Sequence, residues 1–180
     1  DDPASFFGND MQAAERLPLA ELEALQREAL KARFAALRDR LPPLRALAEA
    51  QGVRNLENVD DVVSLLFPHS LYKSYAPQLL EQLRFDEMTR WVSRLTVCDL
   101  SPLMGETFES IDDWLDAMDS RTDLLLLLSS GTTGGLSLVP RARADHEAHG
   151  RHIGMVAARF RARVPNGNLQ VIWPAYARGK

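Results

Sequence analysis

The sequence has little cysteine, no long apolar run and little net charge. Cys98 is the single cysteine among 180 residues, so no internal disulfide can form, and a reducing compartment is the simplest setting. No apolar run approaches the roughly 20 residues needed to cross a bilayer. The opening Asp1-Asp2-Pro3 lacks the basic flank of a secretory signal. A soluble, cytoplasmic protein without a membrane span is therefore expected. A net charge of −4 gives no reason to expect a nucleic-acid partner. Internal repeats and low-complexity tracts are also missing.

What is present is enough for a core. The hydrophobic fraction is 46%, which argues against disorder. The length suits one domain, or one and a piece of another. Charge is distributed unevenly. Residues 141–180 carry eight Arg and Lys against Asp145 and Glu147, a net +6 that leaves −10 for residues 1–140. A basic segment of this kind fits an anionic ligand. Helix arginines facing water explain it equally well.

Residues 1–15 read as a loosely docked tail with Phe6-Phe7 as its apolar spot. Leu17-Pro18 opens a helix with Leu22, Leu25, Ala29, Leu37 and Leu41 near one face and Phe34 alongside. Pro42-Pro43 ends it, and Leu44 to Gln51 forms a second helix closed by Gly52. Leu56 to Leu66 predicts a third, capped at Asn58 or Asp60 and stopped by Pro68. An irregular segment follows to Pro77. Gln78 to Leu95 predicts a fourth helix, and residues 97–106 a loop. Ser110 with Asp113 resembles a capping box at the start of a fifth helix, which ends near Ser120.

From Arg121 the pattern changes. Leu124 to Leu128 is a run of five leucines, as in a strand covered on both faces, although composition alone also allows a helix. The glycine loop that follows so soon favours the strand. Leu136 to Val139 predicts a second strand, Asp145 to Val164 a helix, and Leu169 to Trp173 a third strand. The expected fold class is α/β (mixed): a tail at 1–15, a helical region at 16–105, and at 106–180 the first strands and helix of an incomplete α/β domain.

Between the first two strands lies Ser129-Ser130-Gly131-Thr132-Thr133-Gly134. Gly131 and Gly134 permit positive φ and close approach, and the four hydroxyls and free backbone N–H groups suit an anion, a phosphate above all. A ligand-free Ser/Thr-rich hairpin turn has the same composition. The loop is neither a Walker A sequence, which requires Lys-Ser or Lys-Thr after its second glycine, nor a dinucleotide fingerprint, which requires a following helix.

The loop resembles the phosphate-binding motif of the adenylate-forming enzymes, the acyl-CoA synthetase superfamily, and within it the phenylacetate–CoA ligase and acyl-protein synthetase branch. Leu17 to Gln26, the helix–Pro–helix–Gly arrangement after it, and the stretch Leu56 to Tyr75 with its Lys73-Ser74-Tyr75 element resemble the front of that branch. The resemblance implies that residues 106–180 begin an ATP-binding domain. It also implies that Ser129, Ser130, Gly131, Thr132, Thr133 and Gly134 bind ATP phosphates. A carboxylate would attack the α-phosphate to give an acyl adenylate and pyrophosphate, with Mg2+ sharing the charge. The acyl group would then pass to CoA or to a carrier or protein thiol, the activity of an acid–thiol ligase. Gly135, Leu136 and Ser137 stand where the family commonly places Lys and Pro, and Arg141 is the downstream basic residue to weigh in their stead. The family's later motifs do not fit within 180 residues, so this sequence is expected to be the N-terminal part of a longer enzyme, inactive alone. The alternative is an interaction module, or a degenerate homologue, with a vestigial loop.

The remaining candidates are weaker. His146, His149 and His152 recur every third residue on one helix; a pair could ligate a metal or contact substrate, while solvated or core-edge histidines are the plainer reading. Cys98 is expected to be an inert, buried thiol. Asp112, Asp113, Asp116 and Asp119 read as a solvated helix face, and Trp91 and Trp114 as core. Self-association through exposed apolar surface is possible.

Overall fold

The computed structural model describes residues 6–8, 10–130 and 135–163 of the chain. The architecture is mixed and mostly helical, with a small antiparallel sheet. The described elements are α1 (Met11–Arg16), α2 (Leu19–Leu37), α3 (Pro42–Ala50), α4 (Gln78–Glu81), α5 (Phe85–Ser93), α6 (Ile111–Arg121), β1 (Leu124–Ser130), β2 (Leu136–Ala142) and α7 (Arg143–Arg163). The expected third strand at 169–173 lies outside the described residues. Among the described residues no helix is long and apolar enough to cross a membrane.

Local chemistry sets most boundaries. Pro18 precedes α2, and prolines occupy the first turn of α3, where a missing N–H costs nothing. Gly52, at φ +68°, terminates α3 in the left-handed conformation that glycine adopts without strain. Ser110 caps α6: its hydroxyl accepts from the Asp113 N–H at 3.1 Å and donates to the Asp113 carboxylate at 2.7 Å. Asp10 begins α1 in the same way, its carboxylate accepting from the Gln12 N–H at 2.8 Å. Part of the expected tail is therefore helical.

Three expectations need correction. The stretch 56–66 is a 3-10 helix over Val59–Leu65, although Asn58 does cap it. Asp61 closes a capping box there, accepting from the Glu57 and Asn58 N–H groups at 2.7 and 2.9 Å. The predicted helix 78–95 is broken into α4 and α5 at Leu83, whose φ of +56° no regular helix accommodates. The apolar stripe of α2 is also shallower than its spacing suggests. Phe34 is buried and Leu30 packs beside it, while Leu25 and Ala29 are exposed.

The described core falls into two clusters. The smaller joins Phe34, Ala48, Leu56 and Leu65, so it ties α2 and α3 to the 3-10 helix at 59–65. The larger joins Tyr75, Phe85, Met88, Val92, Leu100, Leu103, Trp114, Met118, Leu124 and Leu138, drawing on residues both before and after 105. At its centre Trp114 stacks on Phe85 with ring centroids 5.4 Å apart. The Trp114 indole N–H donates to the Thr89 hydroxyl at 2.9 Å, and that hydroxyl donates to the Phe85 carbonyl at 2.8 Å. The pair satisfies the polar atoms that burial would otherwise penalise. Leu124 and Leu138 carry the hairpin onto this cluster, with Leu126 and Leu128 partly buried against it.

Candidate functional site

β1 and β2 pair antiparallel from Leu124 opposite Ala142 to Ser130 opposite Leu136. The sequence Ser129–Gly134 therefore straddles the tip of a hairpin closed by the Ser130–Leu136 pair. Ser129 is exposed and pairs with Ser137, which is 7% exposed. Gly131, Thr132, Thr133 and Gly134, together with the Ser130 side chain, lie outside the described residues. The strand–loop–strand order read from the sequence holds as far as its closing pair.

The start of β2 is held by an adjoining segment. The 3-10 helix His69–Lys73 packs on β2, and just after it the Tyr75 hydroxyl donates to the Leu136 carbonyl at 2.7 Å. Burial raises the pKa of the Tyr75 phenol, so it remains a protonated donor at neutral pH. The Tyr75 ring stands edge-on to Trp91, with centroids 5.1 Å apart. The Trp91 indole N–H donates to the Ser74 hydroxyl at 3.1 Å, which in turn donates to the Leu71 carbonyl at 2.7 Å. The Ser74-Tyr75 pair is thus a brace for the exit strand of the loop. Sequence reasoning singled out the element but not this role. Tyrosines in a proline-bounded segment are the available sign, yet their target depends on a register 61 residues away.

The register also decides what lies far from the tip. Arg141 pairs with Leu125 near the other end of the hairpin, five residues beyond Leu136, or about 17 Å at the usual strand rise. It cannot stand in for a lysine following the loop. α7 starts at that same distant end, where the Arg143 N–H donates to the Asp123 carbonyl at 2.8 Å. The Arg143 guanidinium bonds the carboxylate of Asp119 at 2.7 Å, and this partner raises its pKa. Asp113, Asp116 and Asp119 are exposed, in keeping with a solvated helix face, but Asp113 also bonds the capping Ser110 and Asp119 pairs with Arg143.

His146, His149 and His152 are all exposed, and His149 lines a cleft beside Val139–Ala142, away from the tip. Among the described residues no cluster of His, Cys, Asp or Glu is placed to hold a metal ion. Cys98 is half-buried, and its thiol donates weakly to the Asp123 carbonyl at 3.6 Å. Trp114 is fully buried and Trp91 packs against the same cluster, as core residues do. Compared with known proteins, the chain matches no family model, no curated protein and no solved structure.

Proposed function

We propose that the hairpin tip Ser129–Gly134 binds phosphate groups of ATP in a carboxylate-activating reaction that forms an acyl adenylate and then an acyl thioester. The observation that carries this reading is the placement of a Ser-Ser-Gly-Thr-Thr-Gly sequence at the tip of an antiparallel hairpin whose base packs on the main core and whose exit strand is braced by Tyr75. Hydroxyls and glycine-flanked N–H groups suit a departing pyrophosphate, which needs positioning and charge stabilisation more than covalent help. Ser129, Ser130, Thr132 and Thr133 would supply hydroxyl donors, while Gly131 and Gly134 allow close approach. ATP would bring Mg2+ with it, and the described residues offer that ion no ligand cluster. CoA, or a carrier or protein thiol, would accept the acyl group.

A second reading has its own support. Gly135, Leu136 and Ser137 follow the loop, and Arg141 is too far along β2 to compensate. A vestigial loop on an interaction module would look the same. Carboxylate-dependent exchange of pyrophosphate into ATP, measured on the whole protein that carries this sequence, separates the two. The enzyme reading predicts exchange with at least one carboxylic acid and a strong loss on combining Thr132→Ala with Thr133→Ala. Absence of both exchange and ATP binding supports the module instead.

A further inference from the structure

A cleft of about 440 Å³ opens at the end of the hairpin opposite the loop. Its walls come from α2 and the residue Leu41 beyond it, the segment 95–98, the last residues of β2, and the first turns of α7. The volume lies within the roughly 300–1,000 Å³ of small-molecule sites. Much of the wall is aliphatic: Leu37, Leu41, Leu95, Val139 and Pro140.

The charged and titratable lining groups are Arg33, Cys98, Arg141, Asp145 and His149. Arg33 and Asp145 satisfy one another at 2.7 Å. Arg141 differs. It is half-buried, its backbone is paired with Leu125, and its guanidinium makes no hydrogen bond or ion pair with another described residue. Its planar fork matches a carboxylate in bidentate geometry. A bare anion would satisfy Arg141 but leave the aliphatic wall wet. A neutral hydrocarbon would cover the wall and leave the cation unpaired.

We infer that this cleft binds a monocarboxylate with an apolar tail, its carboxylate on Arg141 and its tail against Leu37, Leu41, Leu95 and Val139. The site rests on the cleft's own residues and is independent of the phosphate-loop reading.

Titration calorimetry on the 180-residue chain tests it, with octanoate, acetate, 1-octanol and inorganic phosphate as probes. Octanoate is expected to bind more tightly than the other three. Arg141→Gln should weaken octanoate about tenfold or more, the loss of a charge-assisted hydrogen bond, while Arg141→Lys retains part of the affinity. Amide shifts in the wild-type chain should cluster at 37–41, 95–98, 139–142 and 149, which keeps the test valid if a variant fails to fold. The inference is overturned if octanoate does not bind, if it binds Arg141→Gln equally well, if phosphate binds as tightly as octanoate, or if the shifts lie elsewhere. Pyrophosphate binding at the loop is unaffected by any of these outcomes, so the two readings fail separately.

Discussion

The two apolar clusters differ in how they are closed. The larger has an aromatic stack, a satisfied polar pair in its centre and two strand residues, Leu124 and Leu138, without solvent exposure. The smaller has one large ring, Phe34, and is rimmed by exposed polar links such as the Arg38 guanidinium donating to the Arg54 carbonyl at 3.1 Å. The hairpin belongs to the larger cluster. Integrity of the loop should therefore follow Trp114 and be nearly indifferent to Phe34.

The largest expected effect tests that difference directly. Trp114→Ala removes the stack and the indole donor to the Thr89 hydroxyl, and should cost about 3–5 kcal/mol in chemical denaturation. Amides of β1 and β2 should lose exchange protection along with α5 and α6. Phe34→Ala, at a shallower site better able to collapse, should cost about 3 kcal/mol or less. It should expose amides of α2 and α3 and leave the hairpin protected. Equal loss of hairpin protection in both variants would break the comparison.

A smaller change sharpens it at the tip. Tyr75→Phe deletes the hydrogen bond to the Leu136 carbonyl and should cost about 1 kcal/mol. The affected amides should be those at the Ser130–Leu136 end, not at the Leu124–Ala142 end. Uniform loosening of both ends would remove the brace from the account.

The smallest effect is pH dependence. Backbone N–H donors hold the Asp61 carboxyl below its usual range, Ser101 does the same for Asp99, and Arg121 for Glu106. Each binds its proton less readily in the folded chain than in the unfolded one. The stability they confer is present above about pH 4 and is lost as pH falls further. Asp61 lies beside the smaller cluster, whereas Asp99 and Glu106 lie beside the larger one. Asp61→Asn should flatten the acid loss for the α2–α3 amides and leave it intact for α6. An acid midpoint unchanged in a triple amide variant would contradict this assignment.

Much of the fold was legible because caps and breakers act locally. Asn58, Ser110, Gly52 and Pro42 mark their boundaries with side-chain or backbone chemistry visible in a short window. The break at Leu83 was not legible, since a leucine with positive φ carries no sequence sign and is imposed by its surroundings. The hairpin was readable from five leucines ending in glycines, but its register was not. Register is what separates Arg141 from the tip, brings Tyr75 to Leu136 and sets Arg141 in a cleft with Arg33 and His149. Contacts between residues distant in sequence decide those placements, and no local pattern encodes them.

Titrating the 180-residue chain with pyrophosphate while following backbone amides tests the loop as a phosphate cradle most directly. A phosphate cradle gives saturable shifts concentrated at residues 129–137, abolished by Thr132→Ala with Thr133→Ala. Shifts confined to the arginines of α7, or none at all, would contradict it.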